Sequence, residues 1–90
     1  SIDRALAVDR ERRARQAEAD AFSARLESLT TREREVLDAI VEGRLNKQIA
    51  DDLDIVEKTV KVHRARVMKK MGARSFADLV TMVVRHRDAV

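Results

Sequence analysis

The chain has 90 residues, with 19 Lys and Arg against 16 Asp and Glu, a net charge of +3, and no Cys, Pro, Trp or Tyr. That length predicts one small domain, and the 39% of charged residues leaves no apolar run that could span a membrane. The absence of Cys excludes disulfides and thiolate metal sites and fits a reducing cytosol, and the absence of Pro favours long helices.

Residues 3–28 are predicted to form one long helix, because they contain neither Gly nor Pro and are rich in Ala, Arg and Glu. Residues 9–20 contain no large apolar side chain, so only a weak coiled coil is expected there. Ile2 and Leu6 are expected to be covered by an upstream domain absent from this chain. The apolar residues at the other end, expected to pack on the following domain, are Phe22, Leu26 and Leu29.

A second helix is predicted to follow Thr30, which forms a capping box with Glu33 three residues later. Gly43 is expected to end it in a left-handed conformation. The apolar stripe that this helix would bury consists of Val36, Leu37, Ile40 and Val41.

A short third helix over residues 47–53 is predicted, with Asn46 as its cap. Asp54 and Ile55 then form a tight turn, and Asp tolerates the left-handed conformation better than most residues. The inner face of the short helix is predicted to consist of Ile49, Ala50 and Leu53.

Two more helices complete the prediction, at residues 57–71 and 75–86. Gly72 ends the first, and Ser75 with Asp78 forms a capping box for the second. The core positions of the first are Val60, Val67 and Met71, and those of the second are Phe76, Leu79 and Val83. The side face of the last helix, where a dimer seam could form, carries Val80, Met82 and Val84.

The charge is unevenly distributed along these helices. Residues 30–55 carry four bases and seven acids, whereas residues 56–71 carry six bases and one acid, a net +5. A basic stripe on one helix is typical of proteins that bind the phosphate backbone of nucleic acids. At the end of that stripe, Lys69 and Lys70 are expected to be solvated and to complement the helix dipole.

The turn between helices 47–53 and 57–71 is too short for an antiparallel hairpin of full helices. It fits a helix-turn-helix, in which the second helix enters the DNA major groove. Small Ala50 lies where the two helices approach each other, and turn-tolerant Asp54 follows four residues later. The outward face of the second helix is basic, which favours double-stranded DNA as the partner.

Three spaced blocks resemble the LuxR-type (NarL/FixJ) helix-turn-helix domain. They are Leu29 to Leu37, Gly43 with Asn46-Lys47-Gln48-Ile49-Ala50, and Thr59-Val60-Lys61-Val62-His63 followed by Met68-Lys69-Lys70-Met71-Gly72. The resemblance implies an all-α, four-helix domain at residues 29–90 that regulates transcription in bacteria. It implies that residues 1–28 are a linker helix continuing from an absent receiver domain of a two-component response regulator. It also implies a homodimer on operator DNA, with RNA polymerase as a further candidate partner.

The same resemblance implies roles for single residues. The positions that face bases are Lys58, Lys61, Val62 and Ala65, and those that face phosphates are Lys47, Thr59, His63 and Arg66. Lysine can donate to guanine O6 or N7, and Val62 can contact a thymine methyl group. Val56 departs from the family pattern, which often has a Ser or Thr cap there. That loss costs about 1 kcal/mol and would let the helix start fray until DNA orders it.

Other functions are not favoured by the sequence. His63 and His86 lack partners at metal spacing, and no catalytic triad or phosphate loop is present, so neither an enzyme nor a cofactor is expected. Two alternatives remain open. One is a helical dimerisation module that works through residues 3–28. The other is a domain like region four of a sigma factor, although the capped helix 75–86 argues against it.

Overall fold

The computed structural model describes the fold of residues 2–87 and the side chains of residues 5–87, and this part of the chain contains five helices and no strand. They are α1 (Ile2–Glu27), α2 (Thr31–Val41), α3 (Asn46–Leu53), α4 (Glu57–Met71) and α5 (Phe76–Arg87). Each lies within one residue, at either end, of the helix predicted from the sequence. No described helix is long and apolar enough to cross a membrane.

Helix α2 begins and ends as its sequence predicts. Thr30 Oγ1 accepts from the Glu33 N–H at 3.1 Å, and Glu33 Oε1 accepts from the Thr30 N–H at 2.9 Å. At the other end Gly43 adopts φ +84°, and its N–H donates to Ile40 O while that of Arg44 donates to Ala39 O. These paired bonds satisfy carbonyls that the helix end would otherwise leave free.

The start of α3 differs from the prediction. Asn46 is the first helical residue rather than the cap, and the cap position is held by Leu45, whose side chain cannot accept a hydrogen bond. The Leu45 N–H instead donates to Gln48 Oε1 at 2.9 Å. The Asn46 amide is therefore free to interact elsewhere, and its Oδ1 accepts from Arg64 Nη1 at 3.1 Å.

The core is built around α2 and α4, and α1, α3 and α5 each contribute to it. Its buried apolar side chains are Phe22, Val36, Leu37, Ile40, Ile49, Ala50, Val60, Val67, Met71, Leu79 and Val83. Most predicted core positions are therefore confirmed. Phe76 is the exception, because 43% of its surface is exposed. Its ring lies under the Arg64 guanidinium, with 5.3 Å between the ring centroid and Arg64 Cζ.

Helix α5 starts with a variant of the predicted capping box. Ser75 Oγ accepts from the Asp78 N–H at 3.0 Å, but the Asp78 carboxylate accepts from the N–H of Arg74 rather than that of Ser75. Both bonds stabilise the first turn, so the predicted start of the helix is retained.

Among its described side chains (residues 5–27), helix α1 contacts the domain near its C-terminal end. Phe22 is buried and stacks on the His86 ring at a centroid distance of 4.6 Å, and Arg25 Nη1 donates to the Met71 carbonyl at 3.3 Å. Leu6 and Val8, at the other end, are 50% and 44% exposed. The predicted docking of the C-terminal end is therefore confirmed.

Candidate nucleic-acid interface

Helices α3 and α4 pack together across a three-residue turn. Asp54 adopts the left-handed conformation at φ 55° and ψ 47°, as its side chain permits, and the Ile55 N–H donates to Ala50 O at 3.0 Å. Ala50 and Ile49 are buried on the inner face of α3. The small side chain of Ala50 and the left-handed Asp54 together allow α4 to turn back and pack against α3, as in a helix-turn-helix.

Helix α4 has one fully buried face and one solvent-facing face. Val60, Val67 and Met71 have no exposed surface. The four residues predicted to face bases follow the spacing i, i+3, i+4, i+7, which places them on one side of a helix with about 3.6 residues per turn. All four are exposed, and they are Lys58, Lys61, Val62 and Ala65.

The residues predicted to face phosphates flank this surface. Lys47 is exposed in the first turn of α3, Arg66 is exposed on α4, and Thr59 is half-buried in the first turn of α4. His63 is also half-buried, and its Nδ1 is enclosed without a hydrogen-bond partner in the described part of the chain. A phosphate oxygen could therefore reach only the other ring nitrogen of His63.

Four of the six Lys and Arg side chains of α4 are available for a ligand. Lys58, Lys61, Arg66 and Lys69 are exposed, and none of them forms an ion pair within the described residues 5–87. By contrast, arginines of α2 and of the turn that follows it are paired with neighbouring acids. Those pairs are Arg32–Glu35, Arg34–Asp38 and Arg44–Asp52. The net positive charge is therefore greatest on α4, as the charge count along the sequence predicts.

The other two bases of α4 are used inside the domain. Arg64 contacts Asn46 and Phe76, and Lys70 Nζ lies 2.6 Å from Glu33 Oε1 and 3.3 Å from the Ser28 carbonyl. The expectation that Lys70 is merely solvated is therefore wrong. Sequence reasoning missed this pair because 37 residues separate its members and no local spacing connects them.

Glu33 is the one buried charged side chain among the described residues, with 2% of its surface exposed. The hydrogen bond from Lys70 is the main cause that lowers the pKa of its carboxyl group, and the Thr30 N–H adds to it, while burial opposes both. The carboxylate is thus charged when folded, and one side chain both caps α2 and holds the C-terminal turn of α4.

The N-terminal end of α4 lacks such anchors. Val56 occupies the cap position, makes no side-chain hydrogen bond and is 67% exposed. This confirms that the cap expected of Ser or Thr is missing. The first turn retains only backbone bonds, from the N–H groups of Thr59 and Val60 to the Val56 carbonyl.

The predicted dimer seam lies on the outer part of α5. Val84 is 48% exposed and Val80 is half-buried. Met82 is half-buried and packs against the core, so less of its surface is available than of Val84.

Comparisons with known proteins agree with this geometry. The family described as bacterial regulatory proteins, luxR family, matches residues 27–83. The transcriptional regulatory protein FixJ of Rhizobium meliloti is 54% identical over 67 residues, which are 74% of this chain and 33% of that protein. The C4-dicarboxylate transport transcriptional regulatory protein DctR of Rhodobacter capsulatus is 49% identical over 84 residues, which are 90% of this chain and 43% of that protein.

Solved structures show the same likeness. The response regulator StyR superposes with a TM-score of 0.87 at 43% identity, over 93% of this chain and 42% of that one. Full-length FixJ from B. japonicum superposes with a TM-score of 0.74 at 42% identity, over 80% of this chain and 36% of that one.

The chain spans only about a third of the length of the first curated relatives it matches, 33% and 31% for two of them. The family match runs through α2, α3 and α4 and into α5, which favours neither the sigma-factor alternative nor the interaction module. This chain therefore belongs to the luxR family of bacterial regulatory proteins and carries its DNA-binding helix-turn-helix domain, a regulatory module rather than an enzyme.

Proposed function

We propose that α4 reads a specific operator sequence by lying in the major groove of double-stranded DNA. The observation that carries this proposal is the division of α4 into a buried face and an exposed face whose bases have no internal partner among the described residues. Lys58 and Lys61 would donate to base edges, and Val62, 43% exposed, would contact a thymine methyl group. Ala65 lies on the same face, and its short side chain allows close approach rather than hydrogen bonding.

Phosphate contacts would position this helix. Lys47, Thr59, His63 and Arg66 flank the reading face, and phosphate contacts fix register without carrying sequence information. Lys47 and Thr59 also lie in the first turns of α3 and α4, where the helix N-terminus favours an anion, although the Thr59 N–H itself donates to the Val56 carbonyl. Several neutralised phosphates predict that affinity falls steeply with salt.

The experiment compares two substitutions on α4 against selected operator DNA and random DNA. Lys61→Ala is expected to weaken operator binding by about 1–3 kcal/mol, or roughly 5- to 150-fold, and random DNA binding much less. Arg66→Ala is the matched control, since a phosphate contact should weaken both about equally and reduce the salt slope by about 1. Equal losses on the two DNAs for Lys61→Ala would contradict the reading role.

The wider setting of the domain is also part of this proposal. Residues 29–90 form the DNA-binding domain and residues 1–28 a linker from a receiver domain, so that phosphorylation of a cytoplasmic bacterial response regulator controls the output. The support is that TmoT of Ectopseudomonas mendocina, 49% identical over 69 residues, is named a response regulator, and that this chain covers 31% of it.

Two copies would bind two half-sites about one helical turn apart, or a multiple of that. Val80 and Val84 would form the seam, whereas Met82, two positions from each, lies on the opposite side of α5 and packs against the core. RNA polymerase would be a further partner once the domain is bound to its operator. Sizing the chain with and without operator DNA tests the seam. A Val84→Glu variant that still binds as two copies would refute it.

A further inference from the structure

Arg64 is the one arginine of α4 that the proposed DNA contacts do not use. Its side chain is half-buried and touches two other elements. Nη1 donates to Asn46 Oδ1 at 3.1 Å, at the first residue of α3, and the guanidinium lies over the ring of Phe76, at the first residue of α5. One side chain thus joins the middle of α4 to the starts of α3 and α5.

The start of α3 has few other attachments. The helix is held to the core by Ile49 and Ala50, in its middle, and by Leu53 at its end. Before them, Leu45 at the cap position is 68% exposed, and Lys47 in the first turn is exposed. The hydrogen bond to Arg64 is the only side-chain bond from residues 45–48 to another helix within the described residues 5–87.

This position matters because Lys47 follows Asn46 directly. Lys47 is the proposed phosphate contact of α3, whereas Lys61 and Val62 read bases on α4. The distance between a phosphate contact and a base contact is set by the duplex, so the protein must hold the two helices in one relative position. A guanidinium that donates to an amide and stacks on a ring is more rigidly held than a lysine ammonium would be.

We propose that Arg64 is a positioning residue, which fixes the start of α3 and thereby places Lys47 on a phosphate while α4 reads bases. Arg64 need not touch DNA, because its guanidinium is already engaged by Asn46 and Phe76. The proposal rests on the phosphate role of Lys47. Its consequence is that neutral Asn46, which carries no charge for a phosphate, affects DNA affinity by the same route.

The first experiment measures the free domain by NMR. Backbone order parameters of residues 45–48 are expected to fall in Arg64→Met and in Asn46→Ala, while those of residues 57–71 stay unchanged. Arg85→Met, an exposed arginine of α5, is the matched control and should change neither. Unchanged order parameters at residues 45–48 in both variants would overturn the positioning role whatever happens on DNA.

The second experiment is a double-mutant cycle on operator DNA, with folding of each variant checked by circular dichroism. Lys47→Ala is expected to weaken DNA binding in the parent chain. In the Arg64→Met background the same substitution should cause a loss of affinity at least about three-fold smaller. That difference exceeds the roughly two-fold within which the effects of independent sites add. Asn46→Ala should lower the cost of Lys47→Ala in the same way.

Two outcomes would contradict the proposal differently. In the first, the affinity losses of Lys47→Ala and Arg64→Met are fully additive, and Arg64→Met lowers the salt dependence of DNA binding by a slope of about 1 while Asn46→Ala does not. That result would show that Arg64 contacts a phosphate itself. A Lys47→Ala change without effect in the parent chain would refute the proposed phosphate contact, and with it this inference, even if the order parameters fell. Arg64→Lys is expected not to restore the coupling, because an ammonium has no planar group that could donate to Asn46 while stacking on Phe76.

Discussion

The two ends of α4 are held in opposite ways. At its C-terminal end Gly72 turns left-handed, Arg25 donates to the Met71 carbonyl, and Lys70 pairs with buried Glu33. At its N-terminal end Val56 offers no cap, and the bases Lys58 and Lys61 have no internal ion-pair partner in the described part of the chain. The anchored end stabilises the domain, whereas the free end keeps its donors available for a ligand.

The difference shows how one helix can serve packing and recognition together. A lysine engaged by a carboxylate has already exchanged water for a partner and gains less from a phosphate. Basic side chains that contact DNA should therefore lack such partners in the free protein. Lys70 and Lys58, which composition alone does not distinguish, belong to the two opposite classes.

The largest effect should come from truncating the core at the anchored end. Met71→Ala is expected to destabilise the domain by about 2–5 kcal/mol, because the residue is fully buried and its removal leaves a cavity. Lys58→Ala, at the free end, should change stability by less than about 0.5 kcal/mol while weakening DNA binding. Urea unfolding of both variants measures this, and similar stability losses for the two variants would show that the two ends of α4 do not differ in this way.

A smaller effect is expected from removing the buried charge that holds Lys70. Glu33→Gln keeps the side-chain shape and an acceptor for the Thr30 N–H but removes the charge. It should lower the free energy of unfolding at pH 7 by about 1–2 kcal/mol, a value kept modest because Lys70 is partly exposed to solvent. Glu35→Gln is the matched control, since its partner Arg32 and it are both exposed, and should cost less than about 0.5 kcal/mol.

The same pair gives a pH dependence. The pKa of Glu33 is lowered in the folded state, so its contribution to stability is complete above its ordinary value of 4.5 and is lost as the pH falls below it through the folded-state pKa. The difference in the free energy of unfolding between the parent chain and Glu33→Gln should therefore become smaller at acidic pH. Unfolding curves between about pH 7 and pH 3 test this, and a gap that widens under acid would refute the charged pair.

The smallest effect should come from capping the free end. Val56→Ser gives α4 a hydroxyl that can accept from the N–H of its second or third residue, and should raise stability by about 0.5–1 kcal/mol. Val56→Ala has no hydroxyl and serves as control, because the exposed valine packs little. Thermal unfolding and amide exchange at Thr59 are the measurements. If Ser and Ala behave alike, the missing cap does not weaken this end.

Local features are predicted well because their causes are local. The Thr30–Glu33 capping box, the left-handed Asp54 and the glycine stops depend on residues within five positions of one another. The exposed face of α4 is equally predictable from helical periodicity. When Val60 and Val67 are buried on one side of the helix, Lys58, Lys61 and Ala65 must lie on the opposite side.

The errors involve side chains that reach between helices. The sequence predicts Asn46 as the cap of α3, but Asn46 binds Arg64, 18 residues away, and Phe76, predicted in the core, lies under the same guanidinium. Nothing in the periodicity of α5 distinguishes a phenylalanine that packs inward from one that stacks on a neighbouring arginine. The choice depends on how closely α4 and α5 approach each other.

Residue type and short-range spacing are enough to predict the helices, most of their ends and core positions, and the concentration of positive charge on α4. Which basic side chains are free to bind a ligand depends on how the helices pack. Lys58 and Lys61 remain available, while Lys70 and Arg64 are engaged by Glu33, Asn46 and Phe76. The physical reason is that an ion pair or a stacked ring needs two helices at a fixed distance, and packing sets that distance.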